Sequence, residues 1–399
     1  MRILIASDTY YPHVNGASYF SQRLAAALAE HGHEVAVISP SQTLGNDTKT
    51  RHGVTLYGVR SFPLFIVPKF RFVLPWIINQ RIARAIDEFR PDIVHIQMHF
   101  LISRQVLKAA QRRNIPVVAT NHFMPENLTH YLHLPGFVIN FIHYIAWKDA
   151  VRVFNKTYAV SSPTKTANSF IEPWIGRELP AISNGIDLKR FNPSNDPSPA
   201  KEQYGLPDRP TLLFVGRLDK EKNVDVVLRA VALARQKISF HFVAAGHGAE
   251  EKKLQALAKS LGISHDVTFT GFVPDELLPS LYASAECFVI AGIAELQCIV
   301  AMEAMATGLP VIGARAVALP ELIHHGHNGY LFEPGNVEEL AGHIVEVFSD
   351  GARRSNMGEK SLEIIKDHDL NKTLEAFEDF YRTALLKHNS QSLESNSSM

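Results

Sequence analysis

Two glutamates with seven residues between them, Glu295 and Glu303, lie in the stretch Ala294 to Pro310, A-E-L-Q-C-I-V-A-M-E-A-M-A-T-G-L-P. The Ala/Met/Glu run predicts a helix that begins near Gln297 and stops at Gly308-Leu309-Pro310. A helix start presents backbone N–H groups that have no helical partner, and these suit a phosphate. Glu295 then stands beside an anion site, and Glu303 points back from about a turn and a half inside the helix. Carboxylates touching a pyrophosphate would repel it, so the pair is assigned to sugar hydroxyls. Together these features describe a nucleotide-sugar site. The competing reading makes Glu295 a capping residue and Glu303 an exposed helix position.

Cations for such a site occur in G-R-L-D-K-E-K-N, residues 216–223, directly after the predicted strand Leu212 to Val215. Arg217 and Lys222 fall on a strand-to-helix loop at the carboxyl end of a sheet, where open α/β folds bind ligands. A guanidinium and an ammonium there can neutralise a diphosphate and stabilise it as a leaving group, a task that elsewhere falls to metal ions. The alternative is a solvated loop in which Asp219 and Glu221 are their partners. His122 closes the run V-V-A-T-N-H at another carboxyl edge and is preferred over His95 and His99, which are placed on the acceptor side. In S-D-T-Y-Y-P-H-V-N-G-A-S, residues 7–18, Gly16 lets backbone approach a phosphate, or else forms an ordinary Asn-Gly turn. The segment is not G-x-G-x-x-G, which disfavours a nicotinamide or flavin dinucleotide.

These residues need a scaffold, and the chain alternates short β-branched runs with helical patterns. Strands are predicted at Ile3–Ala6, Glu34–Ile38, Ile93–Ile96, Val117–Thr120 and Lys156–Val160, with helices at Ser18–His31, Pro75–Phe89 and Ser103–Arg112. A second series has strands at Thr211–Val215, 240–245, Val267–Thr270, Cys287–Ile290 and Pro310–Gly313. Its helices are Val224–Gln236, Ala249–Leu261, Asp275–Ala283 and Ile299–Thr307. Two such series imply two doubly wound α/β domains facing a central cleft. The expected boundaries are 1–191, a Pro/Ser/Asn-rich linker at 192–201, a second domain over 202–369, a helix at 370–388 crossing back to the first domain, and a disordered tail at 389–399.

Composition narrows the class. The 399 residues suffice for two cores, 46% are apolar, and Lys plus Arg equals Asp plus Glu at 40 each, which argues against a nucleic-acid binder. The two cysteines, Cys287 and Cys298, have no ligand-like spacing, so neither a disulfide framework nor a zinc site is expected, and a reducing cytoplasm is. The initial run M-R-I-L-I-A is too short for a signal-peptide core, and no run of about 20 uncharged apolar residues predicts a membrane span.

E-x7-E followed by A-M-A-x-G-x-P-V resembles the donor-site motif of the retaining glycosyltransferases of family 4, which have the two-domain GT-B fold with two Rossmann-like halves. G-R-L-x-x-E-K resembles their pyrophosphate clamp at every position, with Arg217 and Lys222 in the binding places. Asn184-Gly185-Ile186-Asp187 with Arg190-Phe191 resembles their hinge element, and Gly16 fits their first loop. There are two departures: Cys298 stands where many members have Gly, and His247 replaces Asp in G-H-G, whose glycines are read as shaping a turn. The resemblance implies a catalytic set of His122, Glu295, Arg217 and Lys222. It implies donor contacts from Gly16, Val273, Cys298, Ile299 and Glu303, with Glu295 on sugar hydroxyls, Glu303 on the ribose and Val273 beside the base. It further implies a UDP-hexose or GDP-mannose donor, transfer with retention by a front-face mechanism, and no cofactor or metal.

From Thr48 to Ile86 there is no acidic residue, yet Lys49, Arg51, Arg60, Lys69, Arg71, Arg81 and Arg84 occur around F-P-L-F-I-V-P-K-F-R-F-V-L-P-W-I-I. Each basic residue near an anionic bilayer is worth about 1 kcal/mol, and aromatic side chains favour the interface. Lys69, Arg71, Trp76, Arg81 and Arg84 are therefore assigned to membrane or acceptor contact; the alternative is a core helix with basic residues at its edge. The apolar stretch at 137–148 is expected in the core, the alternative being that it helps admit a lipid chain. The pattern is similar to glycolipid-making enzymes such as diacylglycerol glucosyltransferases and phosphatidylinositol mannosyltransferases. The expected partners are a nucleotide sugar, a lipid acceptor and the inner face of the cell membrane. Rival readings are a soluble acceptor, a non-catalytic sugar-nucleotide binder and an epimerase.

Overall fold

Ile3, Leu4, Ile5 and Ala6 are fully buried, which an apolar run permits only when both faces of its strand are covered. In the computed structural model, which describes residues 1–11, 16–63, 71–125 and 134–397 with side chains to 391, that strand is central to a seven-stranded sheet. The strands are β1 (Arg2–Ala6), β2 (Glu34–Pro40), β3 (Asp47–Arg51), β4 (Val54–Val59), β7 (Ile93–Ile96), β8 (Val117–Thr120) and β9 (Ala159–Ser161), with a separate hairpin of β5 (Phe62–Pro63) and β6 (Arg71–Phe72). The order is β3-β4-β2-β1-β7-β8-β9, parallel except for β3 against β4. In register, Ile3 pairs with Val35 on one side and with Ile93 on the other.

The second sheet has six parallel strands: β10 (Thr211–Val215), β11 (His241–Ala245), β12 (Val267–Gly271), β13 (Cys287–Ile290), β14 (Val311–Ala314) and β15 (Gly329–Phe332). Their order, β12-β11-β10-β13-β14-β15, is the doubly wound arrangement whose winding reverses between β10 and β13. Unit 1 comprises Met1–Pro125, Leu134–Ser183 and the chain from Thr373; unit 2 contains Asn184–Lys372. Each has its own apolar core.

In unit 1 the helices Pro75–Phe89, Leu101–Gln111, Gly136–Phe154 and Lys165–Ile175 cover one face of the sheet, contributing Ile78, Ile82, Ile102, Val106, Trp147 and Ile171 to one cluster. Pro75–Phe89 shows why such a helix forms: Ile78, Ile82, Ile86 and Phe89 repeat on one side, Pro75 opens the first turn, and Arg90 closes it at φ 49°. Helix Leu101–Gln111 has no side-chain cap of its own; Asp8, just past β1, supplies one. Its carboxylate accepts from the Ile102 amide at 2.7 Å, the Ser103 amide at 3.3 Å and the Ser103 hydroxyl at 2.7 Å.

Several expectations shift. The strand predicted from Lys156 begins at Ala159, because the Lys156 and Thr157 amides close a turn on Val153 and Phe154. Residues 192–201, expected as a linker, lie inside unit 2, and Ser198–Tyr204 is helical. The Asp275–Ala283 helix is a 3-10 turn, Asp275–Leu277, followed by Leu278–Ala283. Past β14 come β15 and the helices Val337–Ser349 and Gly351–Ile365. The final helix runs Leu370–Ser397, through the tail expected to be disordered. The stretch 137–148 is not core. Phe137, Phe141, Tyr144 and Ile145 are exposed, and only the C-terminal half of helix Gly136–Phe154 packs inward.

Candidate active site

The reversal between β10 and β13 decides where unit 2 can hold a ligand, since the loops leaving their carboxyl ends diverge and open a crevice. The first of these loops carries Arg217 and Lys222, and the second carries Glu295 and leads to helix Ile299–Ala306. Glycines set the first loop's path. A Cβ on Gly246 would lie 1.9 Å from the Gly216 carbonyl oxygen, and one on Gly248 would lie 2.1 Å from that of Leu218. Backbone therefore packs on backbone: the Leu218 amide donates to the His247 carbonyl at 2.9 Å, and the Glu250 amide to that of Leu218 at 2.9 Å. The G-H-G segment shapes a turn, as expected, and His247 stands exposed against Glu251.

Lys222 sits in the 3-10 turn Lys220–Lys222, which ends at Asn223 with φ 49°, and the Asn223 amide side chain donates to the Ala291 carbonyl at 3.1 Å. This tie draws the two loops together. The Lys222 ammonium meets the Glu295 carboxylate at 2.5 Å, both side chains being largely buried. Burial pulls the Lys222 pKa down, but the charge and hydrogen bond of Glu295 more than offset it and leave it above its ordinary value. Arg217, about half exposed, contacts Asp219 and lies 2.5 Å from Glu221, whose side chain is buried. These are the partners the alternative reading of the loop named, and they hold the guanidinium beside Lys222.

Cys298 is the residue before helix Ile299–Ala306 and is buried, so its thiol pKa is pushed up by desolvation. The Ala301 and Met302 amides bond to the Cys298 carbonyl, and the amides before them, Ile299 included, form the helix start. Glu303 is 3% exposed, which rules out the surface-helix reading; Tyr282 donates to its carboxylate at 2.9 Å. Val273, past the end of β12, is buried in the unit 2 core. Gln297 escaped sequence reasoning although it lies inside the motif: its side-chain Oε1 accepts from the Asn184 backbone amide at 2.7 Å, tying the helix approach to the Asn184–Asp187 element. Tyr282 and Asn223 also went unseen, with no local signal for either.

In unit 1, His122 follows β8 at the carboxyl edge. Its Nε2 lies 3.0 Å from the Gln97 Oε1, Phe20 packs on its ring at 4.7 Å, and burial lowers its pKa to about 3. His95 is fully buried, with Nδ1 2.8 Å from the Tyr381 hydroxyl and Nε2 2.8 Å from the Thr120 hydroxyl. His99 is buried among Phe100, Phe123 and Phe154, where desolvation lowers its pKa to about 4. Gly16 opens helix Gly16–Glu30 with open space around its Cα, and Asn15 lies outside the described residues.

The basic segment divides. Arg71 donates to Ser61 Oγ at 2.6 Å and to the Ser61 carbonyl at 2.9 Å, and Arg81 donates to the Asp47 carbonyl at 2.9 Å and covers the Tyr57 ring. Both therefore brace the protein itself. Trp76 and Arg84 are exposed, and Lys69 lies outside the described residues. Among the described residues no helix is long and apolar enough to cross a membrane.

The arrangement in unit 2 can bind a diphosphate through fixed cations and helix-start amides while carboxylates orient hydroxyls. A GDP-mannose-dependent alpha-mannosyltransferase of Mycobacterium tuberculosis is 29% identical over 90% of this chain and 92% of that one. An alpha-monoglucosyldiacylglycerol synthase of Streptococcus pneumoniae is 27% identical over 98% of this chain and 88% of that one. The fold is that of a sucrose-phosphate synthase from Thermosynechococcus elongatus, at a TM-score of 0.79 and 19% identity over 97% of this chain and all of that one. The Glycosyltransferase Family 4 model matches residues 14–190 and the Glycosyl transferases group 1 model matches 198–363, so the chain, a hexosyltransferase of the GT-B fold that uses a nucleotide sugar, belongs to the family 4 glycosyltransferases.

Proposed function

We propose that the protein moves a glucosyl or mannosyl unit from a UDP- or GDP-sugar, with retention of α configuration, to a lipid acceptor at an anionic membrane surface. The observation that carries this reading is the Lys222–Glu295 pair, set at the winding reversal of the second sheet and beside the start of helix Ile299–Ala306. A diphosphate arriving there draws on Lys222, Arg217 and the helix-start amides. Glu295 turns to sugar hydroxyls, and Glu303, oriented by Tyr282, takes the ribose. The bond from the anomeric carbon to the phosphate oxygen breaks, and the bond to the acceptor oxygen forms on the same face. The acceptor proton passes to the departing phosphate oxygen. Fixed cations carry the charge that a divalent ion carries in other transferases.

For the acceptor, support comes from unit 1. Strand-to-helix crossovers start their helices at the carboxyl edge of a parallel sheet. Three successive starts on one face present Trp76, Leu101, and Phe137 with Phe141, all exposed, and none has an acidic residue in its first turn. Such a face suits the headgroup boundary of a bilayer, and one relative is named for a diacylglycerol product. The protein then works as a peripheral enzyme on the cytoplasmic face of the membrane.

The test is a panel of UDP- and GDP-sugars offered with membrane lipid extract, read by mass spectrometry, with Lys222→Ala as control. A glycolipid that forms with wild type and not with the variant is expected. Products only on water-soluble acceptors would replace the lipid reading, and full activity in Lys222→Ala would remove the clamp.

A further inference from the structure

We infer that Gln97 is a positioning residue that fixes His122 as the neutral tautomer protonated at Nε2, leaving Nδ1 as a bare hydrogen-bond acceptor for a substrate hydroxyl. Gln97 is the first residue past β7, its amide bonded to the Ala6 carbonyl at 2.9 Å, and its side chain is fully buried. Its Oε1 lies 3.0 Å from His122 Nε2. An amide oxygen only accepts, so this bond requires the proton on Nε2. The other end of the carboxamide is also occupied, with Nε2 3.2 Å from His95 Nδ1.

His95 is anchored in turn. Its two nitrogens meet the hydroxyls of Tyr381 and Thr120, and Thr120 Oγ1 meets Ser161 Oγ at 2.9 Å. Three neighbouring strand ends and the last helix thus contribute to one buried polar chain, and Gln97 is the link that reaches His122. Leucine would fill the same volume in an apolar core without the desolvation cost of a carboxamide. The amide therefore points to orientation rather than to packing. His122 Nδ1 has no hydrogen-bond partner among the described residues and is not among their sealed, unpartnered atoms. With Phe20 against one face of the ring, the imidazole has one direction left in which to act, through a lone pair. His122 then accepts a hydrogen bond and does not shuttle a proton.

This rests on the reading that His122 touches substrate, and the two can fail separately. In the full chain labelled with 15N-histidine, two-bond proton–nitrogen spectra at neutral pH, with His122 assigned by its loss in His122→Ala, should show the Nε2–H tautomer. An Nδ1–H tautomer or an imidazolium would overturn the inference, whatever the activity. The second measurement is the pH profile of kcat in Gln97→Glu. A carboxylate beside Nε2 favours the imidazolium, which has no acceptor, so the variant should match wild type near pH 9 and fall about tenfold per pH unit below its new pKa. A ratio to wild type that stays constant from pH 6 to 9 is what a merely structural Gln97 gives, and it would overturn the role. If wild type turns over no nucleotide sugar, the functional reading fails while the tautomer spectrum still decides the assignment of Gln97.

Discussion

The Lys222 ammonium and the Glu295 carboxylate, 73 positions apart, meet at 2.5 Å where the second sheet reverses its winding. Each keeps the other's charge satisfied in a place where water is scarce. Lys222→Ala leaves a mostly buried carboxylate unpaired, and it removes the cation that faces a developing diphosphate. We expect kcat to fall about 10²–10³-fold, the usual effect of removing one preorganised charge stabiliser. Glu295→Gln should raise KM for the sugar while binding of the free nucleoside diphosphate changes little. A double-mutant cycle on nucleotide affinity, by calorimetry, should give a coupling of about 0.5–3 kcal/mol. A coupling of zero would mean that the pair does not act as a unit.

Gly248 gives a second prediction, independent of charge. Its Cα faces the Leu218 carbonyl so closely that a methyl group would lie 2.1 Å from that oxygen. Backbone cannot swing aside as a side chain can, so Gly248→Ala must displace the loop that carries Arg217 and Lys222. The expected cost is about 1–3 kcal/mol, as for overpacking elsewhere. Weaker nucleotide binding should accompany it, although no ligand contact has been touched. Thermal melting and titration of the same sample with UDP or GDP check both; an unchanged melting temperature would contradict the close approach.

What the sequence made legible follows a physical divide. β7, β8 and β13 were found at their true ends because short β-branched runs buried on both faces have no competing helical period. The positions of Arg217 and Lys222 on the loop after β10 were legible because a strand end followed by charges lies at the carboxyl edge of an α/β sheet, and that of Glu295 because the helical run after it marks where helix Ile299–Ala306 starts. Tyr282 and Gln97 were not, since the meaning of each lies in a partner that folding brings from elsewhere; the network around Gln97 includes a His95–Tyr381 bond spanning 286 positions. The stretch 137–148 failed for a different reason. A helix apolar on nearly all sides looks the same whether its outer half meets protein or water, and only the fold shows Phe137 and Phe141 left uncovered.

That correction moves the membrane prediction to new residues. Since Arg71 and Arg81 spend their donors on Ser61 and Asp47, charge reversal there should chiefly destabilise the protein. Phe137→Ser with Phe141→Ser should instead reduce co-sedimentation with anionic liposomes by tenfold or more, at about 25 cal/mol for each Å² withheld from the interface, while the melting temperature holds. Arg84→Glu should weaken binding by roughly the 1 kcal/mol expected of one basic group. Sedimentation unaffected by the paired serine substitutions would remove this face from any role at a bilayer.

Acid should destabilise unit 1 well before its carboxylates protonate. His95 and His122 are held near 3 and His99 near 4 by burial, against 6.5 for the free side chain. Between those values the unfolded chain binds protons that the native unit refuses, so stability is fully present above about pH 6.5 and drains as the pH falls toward 4. Each histidine contributes up to about 1.4 kcal/mol per pH unit in that window. Asp8 works in the opposite sense: burial raises its carboxyl above 3.8, so the native unit takes up a proton there that the unfolded chain does not, which offsets part of the loss. The three tryptophans, Trp76, Trp147 and Trp174, all belong to unit 1, so urea unfolding followed by their emission reads this unit alone. The midpoint should fall steadily from pH 6.5 to 4.5. It should fall less steeply in His95→Asn, where the buried ring that refuses a proton has been replaced by an amide that never takes one.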